Sequence, residues 1–206
     1  MNLWSRVSAV ALLLFACGLI VAAQSVYPTG VTIYDPAQTW NGYTVLSPLQ
    51  TQAAVVIDMN GRVVKQWEGF VNSAGGPVRV FPYGVVMGAN GSNPPRQESL
   101  ELVQRDFEGQ VMWRFDRNEQ IQTRDGKTIW SARQHHDWQR EDFPAGYYSP
   151  GVQPGNDTSR TLILTHKNHS RSNVADPSLE DDRLIEVSWK GDVVWEWVAS
   201  DHIDEL

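Results

Sequence analysis

Apolar and polar positions alternate in paired short runs along this chain, and the same arrangement returns three times. The segments are "AVVIDMNGRVVKQWEG" from Ala54, "LELVQRDFEGQVMWRFDR" from Leu100 and "RLIEVSWKGDVVWEWVAS" from Arg183. In each, an alternating run meets a turn built on Gly61, Gly109 or Gly191, and a second alternating run carrying tryptophan follows. Successive side chains of a strand point to opposite faces, so this pattern predicts β-hairpins with one buried face. Asn60-Gly61 carries the strongest turn signal, because both residues tolerate the positive φ of a type I′ turn. Beyond the N-terminal apolar segment no stretch shows helical spacing.

Further strand candidates lie upstream. "YTVLSP" leads into the first hairpin, "PVRVFPYGVVMGA" precedes the second, and "IWSARQHHDW" with "TLILTH" precedes the third. Four strands per unit, repeated, predict an all-β chain and specifically a β-propeller of four-stranded blades. The spacing from Gly61 to Gly109 suits one blade, whereas that from Gly109 to Gly191 is too long for one. The excess falls in "EQIQTRDGKT" and "REDFPAGYYSPGVQPGNDTS", whose Gly, Pro, Asn, Asp and Ser content reads as loops. Long loops on a rigid scaffold often carry function. The chain holds about two and a half blades, against the roughly four to eight with which propellers close. An open stack leaves an apolar face and bare strand edges. The reading adopted is a truncated propeller over residues 24–206, with a homo-oligomer as the alternative.

The opening "MNLWSRVSAVALLLFACGLIVAAQS" has a positive Arg6, an apolar run and a small-residue site at Val21-Ala22-Ala23, the pattern of an export signal over residues 1–23. The alternatives are an uncleaved membrane anchor and lipid attachment at Cys17. Cleavage leaves no cysteine, which removes disulfides, thiolate chemistry and Cys-ligated zinc. The expected location is therefore periplasmic or extracellular, with a membrane partner only if Cys17 is lipidated or the signal is retained. The chain carries 17 basic and 24 acidic residues, a formal charge of −7. With no basic cluster, nucleic acid is excluded as a partner. Nine tryptophans fit a fold built on aromatic packing, and Trp67, Trp113, Trp195 and Trp197 are assigned to it.

Candidate chemistry gathers in two places. In "SARQHHDWQRED", His135 and His136 stand beside Arg133, Asp137 and Trp138 on an expected inner strand. Neighbours on a regular strand face opposite ways, so one of the two reaches a central channel and the other packs inward; which one stays open. In "LTHKNHSRS", "TLILT" reads as strand and "KNHSRS" as its exit loop, giving His166, Lys167, Asn168, His169 and Arg171. Imidazoles, guanidiniums and an amide together suit transfer of an anionic group: donors stabilise spreading negative charge while histidine attacks or protonates a leaving oxygen. Metal binding by His166, His169 and Asp137 is the competing reading and ranks below it, so no metal and no cofactor is expected. Asn90, Asn156 and Asn168 each open a glycosylation sequon.

The run "GVTIYDPAQTWNGYTVLSP", the hairpin "AVVIDMNGRVVKQW", the block "ARQHHDWQREDFPAGYYSPG" and the ending "LIEVSWKGDVVWEWVASDHIDEL" together resemble the arylsulfotransferase family, bacterial aryl-sulfate sulfotransferase type. The resemblance covers nearly all of the chain from about Tyr27. It implies a six-bladed propeller in an exported protein, and transfer of a sulfuryl group from an aryl sulfate to a phenol through a histidine intermediate. On that resemblance His136 looks like a channel histidine, with His135 as the alternate. His166 and Asn168 look like the next blade's contribution, with Arg133, His169 and His202 as further substrate-binding candidates. Relatives continue past "DHxDE" into later blades, where the covalent histidine of characterised members lies. The alternative reading is a non-catalytic propeller that binds a ligand or a protein, since one fold hosts many functions.

Overall fold

The computed structural model of the chain describes residues 31–48, 51–71, 76–94, 96–141, 143, 159–171 and 175–205. The expected export signal, Cys17, Asn156 and most of the Pro/Gly-rich segment after Asp142 lie outside these residues. The chain divides into two units, Met1–Trp40 and Asn41–Leu206. In the first, the described part turns at Asp35, whose Oδ1 accepts from the Ala37 amide at 2.9 Å. No helix among the described residues is long and apolar enough to cross a membrane.

The second unit is built of antiparallel strands. The first sheet orders β1 (Thr44–Leu46), β2 (Ala53–Ile57) and β3 (Val63–Glu68). Then β4 (Arg79–Val80), β5 (Val86–Ser92), β6 (Ser99–Arg105) and β7 (Val111–Phe115) form a four-stranded meander. A small hairpin, β8 (Glu119–Gln122) and β9 (Thr128–Ser131), follows. A second meander comprises β10 (Gln134–Arg140), β11 (Thr161–Arg171), β12 (Ala175–Val187) and β13 (Val193–Val198), closed by a 3-10 turn at Ala199–Glu205. One pairing, Gln134 with Ser99, joins the two meanders. No sheet closes on itself among the described residues.

The expected hairpins form, but their turns differ from the type I′ reading. At Asp58, Asp106, Thr123 and Ser188 the amide bonds to the carbonyl four residues on, and the following glycine amide bonds back to that residue's own carbonyl. The side-chain oxygen also accepts from the amide four residues on, at 2.9, 2.7, 3.2 and 3.2 Å. Only the glycine, Gly61, Gly109, Gly126 or Gly191, has positive φ. This is a type I turn closed by a left-handed glycine, which adds one residue to one strand as a bulge. Asn60 is not in the left-handed region, because Asp58 caps the turn instead. The fourth example, "TRDG", lies in a segment expected to be loop: its polar flanks hid a hairpin with little to bury.

Apolar faces pack sheet against sheet. Ala54, Val56, Trp67, Phe70, Val86 and Val103 fill the layer between the first sheet and the first meander. Phe81, Met87, Leu102, Trp113, Phe115, Trp138, Ile163 and Ile185 fill the layer between the two meanders. The larger of these side chains, valine upward, each contribute about 1.5–3 kcal/mol by leaving water. Two tryptophans latch these layers. Trp67 Nε1 donates to the carbonyls of Asp106 and Phe107, in the next hairpin's turn, at 3.2 and 3.0 Å. Trp113 Nε1 donates to the Trp189 carbonyl, in the turn between β12 and β13, at 2.9 Å. The packing role assigned to Trp195 is not met: it is 47% exposed.

Candidate functional site

The site grows from an irregularity in β10. Gln134 pairs with Thr165 and Trp138 with Ile163, so His135, His136 and Asp137 stand opposite Leu164 alone. Three non-glycine residues among those described have positive φ, and two of them are Arg133 at 52° and His136 at 55°. Such conformations cost roughly 1–3 kcal/mol each and persist where the surroundings enforce them. Here Arg79 of β4 provides the brace: its guanidinium pairs with Asp137 Oδ1 at 2.8 Å, lies over the Trp138 ring and donates to the Trp138 carbonyl. Trp138 Nε1 in turn holds the Pro77 carbonyl at 3.1 Å. Beside it Gly76, at φ 78°, lies against the His136 backbone so closely that a Cβ there would stand 2.5 Å from the His136 carbonyl oxygen.

The bulge overturns the expectation that His135 and His136 face opposite ways. Their Nδ1 atoms approach to 2.8 Å, with the rings perpendicular. His135 also stacks on His166 of β11, centroids 3.9 Å apart. Three imidazoles from two strands thus meet in one cluster, with His135 buried, His166 half-buried and His136 exposed. Burial, reinforced by the neighbouring His166, pushes His135 down to about 4 against the opposing pull of Asp182. It is therefore neutral at physiological pH, and its 3.4 Å approach to Asp182 Oδ1 is not an ion pair.

Behind the imidazoles Arg133 is completely buried and fully committed. Its Nε meets Glu98 at 3.0 Å, Nη1 meets Glu119 at 2.8 Å and Nη2 meets Glu180 at 3.3 Å. Burial alone pushes Arg133 down, but the Glu119 and Glu98 carboxylates outweigh it and raise it above the ordinary arginine value. Burial likewise pushes Glu98 up, and hydrogen bonds from His166, Asn93 and Arg133 bring it below the usual carboxylate range. Glu98 Oε2 joins the two groups, lying 3.1 Å from His166 Nδ1. The guanidinium that sequence reasoning assigned to a bound anion is thus enclosed by carboxylates, and in this arrangement it fixes the cluster's floor.

The remaining candidates separate. β11 runs on to Arg171, so "KNHSR" is strand rather than exit loop. His166 pairs with Asp182 and Asn168 with Glu180, on one face. His169 takes the other face, where its Nε2 lies 3.1 Å from Asp181 Oδ2 and 3.0 Å from Ser200 Oγ. Both partners crowd the same nitrogen, so this is no relay of serine, histidine and acid. Burial pushes Asp181 up, but the Ser200 hydroxyl and amide and His169 hold it below its ordinary value. His202 lies on the closing 3-10 turn, stacked on Trp197 at 5.0 Å. The set His166, His169 and Asp137 does not assemble: the two histidines face apart and Asp137 is held by Arg79.

Sequence reasoning missed Glu98, Glu119, Glu180 and Asp182, scattered acids of a common type. The run "LEDDR" was a usable signal, since β12 brings it opposite "HKNH". A groove of about 160 Å³ opens on this sheet, lined by Gln139, Leu162, Leu164 and Leu184 among others. Leu162, Leu164 and His166 alternate along one face of β11, and Leu184 and Asp182 stand across from the latter two. The groove's leucines and His166 therefore share one face of the sheet. No family model matches this chain, and a search of curated proteins returns no match.

Proposed function

We propose that this chain is an exported aryl-sulfate sulfotransferase, or part of one, that moves a sulfuryl group from a phenolic sulfate ester to a phenol. The observation that carries the reading is the meeting of His135, His136 and His166 in one cluster, with an apolar groove on the same sheet. Resemblance to the arylsulfotransferase family supports the class of reaction; because the covalent histidine of characterised relatives lies in later blades, the nucleophile assigned below rests on this chain's own geometry. The groove suits the aryl ring, while the cluster suits the ester's sulfur end. With the shared Nδ1 proton on His136 and accepted by neutral His135, His136 Nε2 keeps a lone pair and points outward as nucleophile. Its attack forms an N–S bond as the S–O(aryl) bond breaks, and His166 gives the leaving phenolate a proton. An acceptor phenol then returns that proton to His166 and takes the sulfuryl group.

The finer fold reading is a β-propeller of which the first sheet and the two meanders are blades, supported by the tryptophan latch repeated from one to the next. The partners on this reading are an aryl sulfate and a phenol, with a homo-oligomer as one way to cover the outer strand. The test is a chromogenic aryl sulfate with and without an acceptor phenol. Acceptor-dependent colour is expected, lost at least a hundredfold in His136→Ala and His166→Ala. Turnover that survives both changes overturns the assignment.

A further inference from the structure

We infer that the same cluster binds a divalent transition-metal ion of the zinc type, held by His135 Nε2, His166 Nε2 and Asp182 Oδ1 with one position left open. One ligand atom from each of these three residues lies within 4.8 Å of the other two. His135 Nε2 is 3.4 Å and His166 Nε2 4.0 Å from Asp182 Oδ1. Ligands at about 2.0–2.2 Å from a tetrahedral ion stand roughly 3.3–3.5 Å apart, so one edge already has the right length and another needs modest closing.

The independent observation is His135. It is 3% exposed, and its Nε2 has no hydrogen-bond partner. A buried imidazole nitrogen left bare is destabilising unless something fills it. Asp182 Oδ1, the carboxylate oxygen 3.4 Å away, makes no hydrogen bond to it. An ion fills it. Its presence on Nε2 places the His135 proton on Nδ1, where His136 Nδ1 at 2.8 Å accepts it as an outer hydrogen bond to the ligand.

Charge points the same way. Around His166 the carboxylates of Glu98, Glu119, Glu180 and Asp182 face two guanidiniums, Arg133 and Arg96, the latter 3.3 Å from Glu180. Two negative charges are left over, which one dication neutralises. The His135 and His166 rings lie within 17° of parallel, so closing the site requires one ring to tilt. His166 is the one with room, since its side chain is 16% exposed.

The inference stands apart from the sulfuryl reading and makes opposite use of His166, whose lone pair then holds metal rather than a proton. Zinc bound here is accordingly an inhibitor of the proposed transfer. The test is calorimetric titration of the EDTA-treated whole chain with zinc chloride, alongside cobalt(II) absorption. One equivalent is expected to bind, with cobalt bands of a four-coordinate N/O site. Asp182→Asn, a same-shape change at a side chain 63% exposed, is expected to weaken zinc at least tenfold, while Asp192→Asn on the remote turn leaves it unchanged. No stoichiometric binding, or binding untouched by Asp182→Asn, overturns the inference without bearing on sulfuryl transfer, which is read by colour.

Discussion

Arg133 is the residue on which the site's shape depends. A guanidinium presents its donors in a rigid fork, and here every arm of the fork ends on a different carboxylate. Taking the cation away leaves buried Glu98 uncompensated, and breaking a buried pair of this kind costs about 3–5 kcal/mol. Arg133→Met is therefore expected to lower unfolding stability by that order, read as a fall in urea midpoint at constant slope. Arg133→Lys keeps the charge but reaches fewer carboxylates, and is expected to fall between the two. The residue types at the site were legible in the sequence, because histidine is rare in this chain and "RQHH" concentrates it. Their roles were not. Whether an arginine faces a ligand or a ring of acids is decided by Glu98, Glu119 and Glu180, and nothing in the spacing of those three brings them to one point.

At the scale of strands and turns the chain was more open to reading. Alternation fixes which face of β7, and of β12 from Asp181 on, is buried, and an acceptor side chain three residues before a glycine fixes the turn, four times over. The bulge at His136 was not legible, since it arises from Gly76 and Arg79, more than fifty residues away in sequence. Two glycine substitutions separate local from remote causes. At Gly126, φ is 80° and nothing lies within 4 Å of a Cβ, so Gly126→Ala meets only the left-handed penalty of about 1–2 kcal/mol. At Gly76 the φ is similar, but the added methyl presses on the His136 backbone. Gly76→Ala is expected to cost clearly more in the same urea titration, and to shift the imidazole resonances of His135, His136 and His166 in NMR spectra. Gly126→Ala is expected to leave those resonances in place.

Across the whole molecule one contact recurs: a tryptophan on the last strand of one sheet donates to a carbonyl in the next sheet's hairpin turn. A pattern of hydrophobicity predicts that Trp67 and Trp113 are buried, yet it is silent on the indole nitrogen, which sets the order of stacking. The two positions are not equivalent along their strands. Trp67 stands six residues past its turn glycine and Trp113 four, and the third hairpin has both, as Trp197 and Trp195. Trp195, the counterpart of Trp113, is 47% exposed where Trp113 is 4%. The difference makes a prediction about covering. Trp113→Phe removes a buried hydrogen bond and part of a core side chain, an expected loss of about 1–3 kcal/mol. Trp195→Phe in the isolated chain removes neither, and is expected to stay within about 0.5 kcal/mol. Denaturant titrations of both variants at two protein concentrations check this. A Trp195→Phe loss as large as that of Trp113→Phe, growing with concentration, would mean that another copy seats its turn on β13 in solution. A small loss at every concentration leaves β13 as an open edge of the stack.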